Sequence, residues 1–184
     1  MIYYISDLHL GDRRVFELCH RPFSSLKAME EELIKRWNNK ITKDDDIYVL
    51  GDIANGNLQI INDFFLKVKG RKHLILGNHD EEFANEYHLS NQFIDIDKIR
   101  FINDQGRTVC LCHYPIMDWM YGNEIIYHIY GHIHNKTAAN NGELYGKIKD
   151  FYKNLPAYNA SADVINFEPR TLDELIRLKE EECL

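Results

Sequence analysis

Side chains able to hold metal ions recur along this chain, each directly after an apolar run. Asp7-Leu8-His9 follows Ile2 to Ile5, Gly51-Asp52 follows Ile47 to Leu50, and Gly77-Asn78-His79-Asp80 follows His73 to Leu76. Val109 to Cys112 ends in His113, and Ile125 to Tyr130 runs into Gly131-His132-Ile133-His134. Short apolar runs of this kind predict buried β-strands, and groups just past the carboxyl ends of such strands stand where open α/β sheets keep their ligands. Each motif alone is common, so it is their ordered recurrence that points to one rim. Carboxylates mixed with imidazoles suit divalent transition metals, whereas an all-carboxylate set would point to Mg or Ca. His132 and His134 stand two residues apart, so an extended or turning backbone can aim one ring at each of two ions, where a helix would need a spacing of three or four. Asp52 is the candidate for the anionic oxygen shared between the ions of a two-metal hydrolytic site.

The elements that must position these groups are legible in outline. Ser24 or Ser25 caps a helix to about Asn39, with Leu26, Met29, Leu33 and Trp37 on one stripe. Val15 to Cys19 suggests a short helix before it. Asn57 to Lys69 repeats the pattern, with Ile60, Ile61, Phe64, Phe65 and Val68 facing inward and Gly70 ending it. The order β, α, β, α, β with short links is the signature of a mainly parallel sheet. Glu81 to His88 is expected as a short helix. The alternation of residues 92–113 then predicts antiparallel strands added to that sheet. Pro115 to Tyr121 reads as loop or short helix, and Lys136 to Leu155, rich in Asn, Lys and Tyr, as loop with a helical turn. A last strand is expected within Ala157 to Phe167, and Thr171-Leu172-Asp173-Glu174 is a capping box opening a closing helix to about Glu182.

The order Asp-x-His, Gly-Asp, Gly-Asn-His-Asp, His, Gly-His-x-His resembles the calcineurin-like metallophosphoesterase family in full, from Asp7 to His134. Arg21-Pro22-Phe23 is similar to a segment of its small bacterial and phage members, although many of those carry Phe-Gly-His where this chain has Leu10-Gly11-Asp12. The resemblance implies an α/β fold with a two-layered, mixed β-sheet sandwich core flanked by helices. It implies that Asp7, His9 and His134 hold the first metal, that Asn78, His113 and His132 hold the second, and that Asp52 bridges. Manganese heads the candidates for the two ions, followed by Fe, Ni, Co or Zn. A water bridging such ions would lose a proton near neutral pH and attack phosphorus in line. His79 resembles the residue that protonates the leaving group, with Asp80 orienting and charging its ring. Asn78 and Arg14 are the candidates for touching substrate, while Arg13 and Arg21 are read as solvated arginines. His20, His73, His88 and His128 fit no ligand position, and His128 is read as structural. Tyr114 and Trp119 either wall a base-binding pocket or pack in the core.

At 184 residues and 45% hydrophobic, one domain spanning residues 1–184 is expected. A net charge of -7 argues against a protein that wraps long nucleic acid through a basic surface, but leaves room for a small phosphate ester or nucleotide held by metal ions. The four cysteines form no CxxC pair; they are read as reduced core residues of a cytoplasmic protein, with a thiolate metal site as the alternative. The first residues enter a strand pattern at once, so neither a secretion signal nor a membrane partner is expected. The reaction expected is hydrolysis of a small phosphate ester, a diester ahead of a monoester. A nuclease and a non-catalytic scaffold on the same fold are the competing readings.

Overall fold

The structure, a computed structural model, describes residues 1–55, 58–80, 91–120, 124–135 and 142–182. Two four-stranded sheets form its centre. The first, ordered β1 (Ile2–Ile5), β2 (Asp46–Val49), β3 (Arg71–Ile75) and β4 (Ile96–Asp97), is parallel throughout. The second runs β5 (Ile99–Asp104), β6 (Arg107–Cys112), β7 (Ile126–Tyr130), β8 (Ala157–Asn159), antiparallel at β5–β6 and parallel after it. The register pairs Ile5 with Val49 and Val49 with Leu74, so the loops after β1, β2 and β3 leave the sheet at one level.

The sheets are joined through the segment after β8. Ser6 N–H donates to the Ala160 carbonyl at 2.8 Å and Ala162 N–H to the Ser6 carbonyl at 2.9 Å, which bridges Ser6 to Ser161 and sets the carboxyl ends of both sheets side by side. One hydrophobic core runs through both layers, from Ile5 and Val49 to Val109 and Ile129, and is closed by Met29, Leu33 and Trp37 of α2 (Leu26–Lys40) and by Ile61, Phe64 and Phe65 of α3 (Leu58–Phe65). Ser25 caps α2 by accepting from Ala28 N–H. Thr171 and Glu174 form the expected reciprocal cap of α5 (Leu172–Glu182), with bonds of 2.8 and 3.3 Å.

Several elements differ from the sequence reading. The antiparallel hairpin β5–β6 opens a second sheet instead of extending the first. The strand expected near residue 93 is only β4, two residues long and parallel to β3, because a 20-residue connection allows a crossover. Helix α1 spans Arg13–Leu18, starting where Asp12 accepts from Val15 N–H. Helix α3 stops at Phe65, short of Lys69, although Val68 stays buried and Gly70 turns the chain at φ +95°. Where a loop was expected, α4 forms an eleven-residue helix, Gly142–Tyr152; Tyr145, Ile148 and Tyr152 lie on one stripe and pack with Trp119, Ile126 and Ile133 in a smaller core. Pro115–Met120 forms no helix. The helix expected at Glu81 to His88 and the residues 136–141 lie outside the described residues. Among the described residues, no helix is long and apolar enough to cross a membrane.

Candidate metal centre

The loops leaving the strands adopt a backbone that L side chains avoid. Asp7, His9, Asp52, His132 and His134 have φ of 57°, 47°, 54°, 71° and 52°. Left-handed backbone costs on the order of 1–3 kcal/mol per non-glycine residue and persists only where surrounding contacts over-determine it. Those contacts are present. Asp7 N–H donates to the Gly51 carbonyl and His9 N–H to the Asp52 carbonyl, both at 3.0 Å, while His132 N–H donates to the Asp7 carboxylate at 3.0–3.1 Å. The backbones approach so closely that glycine is needed between them: a Cβ on Gly131 would collide with Ser6 Oγ and the Asp7 carboxylate, and one on Gly51 would lie 2.6 Å from Gly77 Cα.

Two groups of ligand atoms result, Asp7–His9–His134 and Asp52–His113–His132, and within each the atoms lie within 4.8 Å of one another. Asp52 Oδ2 stands between the groups, 3.6 Å from His9 Nε2 and 3.4 Å from His113 Nε2. His113 Nδ1 donates to the Leu50 carbonyl at 2.8 Å, which orients the ring and turns Nε2 toward the cluster, 3.2 Å from Asn78 Oδ1. His9 is buried, and neither of its ring nitrogens makes a hydrogen bond among the described residues. Buried imidazole nitrogens are seldom left without a partner, and a metal ion would satisfy this one. The seven expected ligands, Asp7, His9, Asp52, Asn78, His113, His132 and His134, are thus brought to one place.

Charges in this cluster are strongly coupled. Burial would raise the Asp7 carboxyl, but His134, His113 and His9 overcome it and hold the group below the ordinary range. Burial likewise opposes the charged form of His113 and His134, yet Asp52 with Asp7 lifts His113 to about 9, and Asp7 with Asp163 lifts His134 to about 11. His132 moves the other way, pushed down by burial and then by His113. The carboxylates and imidazoles of the cluster thus hold one another in their charged forms, with His132 the exception.

His79 stands exposed at the rim, its ring 5.3 Å from that of His9 between centroids, and its N–H donates to Asp52 Oδ1 at 2.9 Å. Asp80 is not where the sequence reading put it. Its fully buried carboxylate accepts from the N–H groups of Gly77, Asp52 and Ile53 at 2.8–3.0 Å and, among the described residues, makes no hydrogen bond or ion pair with the His79 ring. It ties the loop after β3 to the loop after β2. Arg14 is exposed on α1, with no ion pair among the described residues. Tyr114 is half-exposed, with its ring 4.9 Å from His132, whereas Trp119 is a core residue that donates to the Ile126 carbonyl.

Four contributors escaped the sequence reading. Ser6 and Ser161 hydroxyls donate to Asp7 Oδ2 at 2.6 and 2.8 Å. Asp163 Oδ2 lies 2.7 Å from His134 Nδ1, and Arg21 forks onto Asp163 with bonds of 2.8 and 3.2 Å. Arg21 is buried, not solvated; its place in the Arg-Pro-Phe segment was the only signal. Cys19, His134 and Asp163 also cluster, but the Asp163 charge is already matched by Arg21, which leaves a poor thiolate metal site.

A sequence model of the calcineurin-like phosphoesterase superfamily domain matches residues 1–147. An uncharacterized protein of Methanocaldococcus jannaschii is 32% identical over 181 residues, covering 97% of this chain and 91% of that protein. This chain belongs to the calcineurin-like phosphoesterase superfamily. The Gene 66 protein of Mycobacterium phage D29 is 27% identical over 160 residues, covering 73% of this chain and 79% of that protein, in keeping with a small phage or bacterial type. A solved structure, that of the protein of unknown function AQ665 from Aquifex aeolicus, superposes with a TM-score of 0.72 at 23% identity, covering 97% and 98% of the two chains, and so shares the fold. Membership in the calcineurin-like superfamily carries metal-dependent phosphoester hydrolysis as the general activity and divalent metal ions as the general cofactor. Ser161 and Asp163 lie beyond the matched stretch.

Proposed function

We propose that the chain hydrolyses a small phosphate ester, a diester ahead of a monoester, at a dinuclear centre. Asp7, His9 and His134 would hold one ion, Asn78, His113 and His132 the other, and Asp52 both, with manganese the first candidate. The observation that carries this reading is the place of Asp52 Oδ2, within 3.6 Å of a ring nitrogen from each group. The buried His9 ring, which makes no hydrogen bond among the described residues, and the mixed donor set fit a pair of transition-metal ions. When bound, the ions would withdraw charge from phosphoryl oxygens and acidify water.

The chain's own residues supply the rest. Asp52 fixes His79 through the backbone, so its exposed ring stands beside His9 at the solvent-facing rim of the cluster. There His79 donates a proton to the leaving oxygen, which would otherwise depart as an alkoxide. Asn78, exposed beside it with Oδ1 next to His113, would hold an ion and touch the substrate. Tyr114 offers an aromatic face next to His132, suited to a nucleoside leaving group. The acidic balance of the chain favours such small substrates over long nucleic acid, and unpaired cysteine spacing favours a cytoplasmic setting.

The test compares a chromogenic phosphodiester with the corresponding monoester, with Mn²⁺ and after chelation. Chelator-sensitive turnover with a higher kcat/KM for the diester is expected. Preference for the monoester would make the protein a phosphatase, and the absence of metal-dependent turnover of either would favour the scaffold.

A further inference from the structure

One buried side chain is linked to three of the candidate ligands. Arg21 follows the left-handed His20 and precedes Pro22, a turn that drives its guanidinium inward until its side chain is fully buried. All five of its N–H groups are used. Nε and Nη2 fork onto Asp163, Nη1 donates to the Leu8 carbonyl at 2.7 Å and to Met29 Sδ at 3.3 Å, and Nη2 donates to the Asp7 carbonyl at 2.7 Å. The same guanidinium thus pins the backbone between Asp7 and His9 and, through Asp163 on His134 Nδ1, the ring of His134. A carboxylate on one imidazole nitrogen fixes the tautomer and turns the other nitrogen to the metal. Among the described residues no guanidinium reaches the second group, where the Leu50 carbonyl orients His113 and Asp80 ties together the loops that carry Asp52 and Asn78.

We infer that Arg21 and Asp163 are positioning residues that hold Asp7, His9 and His134 as a single preformed site, and that they set the affinity of that site without setting that of its neighbour. The inference rests on the dinuclear reading. Arginine is required, because a lysine ammonium cannot span a carboxylate and two carbonyls with one planar fork. Asp163 acts on the ion through His134 and touches no substrate.

Calorimetric titration with Mn²⁺ separates the two sites when one is removed by mutation. In a His113→Ala background, adding Asp163→Asn should weaken the remaining equivalent by about 10- to 100-fold. In a His9→Ala background, the same Asp163→Asn change should leave the remaining equivalent bound as before. Equal weakening in both backgrounds, or none in either, would overturn the inference. Circular dichroism of the metal-free protein checks that each variant is folded; should Asp163→Asn fail to fold, Arg21→Lys is read by the same two titrations with the same criteria. Unmutated protein that binds two Mn²⁺ while Asp163→Asn changes nothing would sink only this inference. Unmutated protein that binds none would sink the dinuclear reading, and the inference with it.

Discussion

The two sides of the cluster are built differently. On one, Asp7, Asp80, His134, Asp163 and Arg21 are buried and joined by short hydrogen bonds to backbone and to each other. On the other, Asn78 and His79 are exposed, and the ring of His79 has no hydrogen bond among the described residues. The closed side carries left-handed backbone and buried carboxylates whose partners are already in place, so it is set before any ion arrives. The open side is held more lightly, by the Asp52 carboxylate on His79 backbone N–H and by Asn78 against His113, which leaves the His79 ring able to follow a substrate. Substitutions on the open side should therefore change rate and leave stability alone, while substitutions on the closed side should change stability or metal affinity first.

The largest effect is expected on the open side. His79→Ala should retain both ions and the thermal midpoint but lower kcat by about 10²- to 10⁴-fold for substrates with poor leaving groups. Loss of the same size with a nitrophenolate leaving group would remove His79 as the acid. Next comes Asp80→Ala, which strands three buried backbone N–H groups and should cost about 2–4 kcal/mol of folding stability by denaturant titration. Unchanged stability with a rate loss confined to poor leaving groups would return Asp80 to the role of orienting His79.

Beneath the closed side, His128 is fully buried on β7, with Nδ1 3.2 Å from the Cys110 carbonyl and Nε2 accepting from Ile116 N–H at 3.2 Å. Burial pushes its pKa down to about 4, so the unfolded chain binds the extra proton first. Its contribution is complete above the unfolded value near 6.5 and is lost as pH falls toward 4, ~3 kcal/mol across that window. Comparing His128→Leu with the parent by denaturant titration from pH 7 to 4 should show a shallower fall in the variant; parallel curves would mean that the ring takes up its proton equally in the folded and unfolded chain. The smallest effect is expected for Arg14→Ala, a rise of a few-fold in KM with kcat unchanged; no change in KM would free Arg14 from any contact with substrate.

Much of this was legible in the sequence for one physical reason: an apolar strand followed by a polar turn is a local signal, and parallel sheets place such turns together. Asp52, His113 and His134 could be read that way. Asp163 could not, because an aspartate after Ala162 in an irregular stretch becomes informative only once the chain brings Arg21 and His134 to it across long separations in sequence. Asp80 was misread for a related reason. Adjacency to His79 suggested a contact that the turn does not make, while the three N–H groups it does hold come largely from a different strand end. Helix α4 was missed because Gly142, Gly146 and its asparagine-rich approach lower helix propensity, and packing of Tyr145, Ile148 and Tyr152 overrides that. Two-residue β4 is too short to show a period at all.

The most direct test of the shared carboxylate is anomalous diffraction from crystals grown with Mn²⁺. Two manganese peaks are expected, both within bonding distance of the Asp52 carboxylate, with His9 and His134 on one and His113 and His132 on the other. A single peak would contradict the dinuclear centre, and two peaks of which only one touches Asp52 would contradict the shared carboxylate.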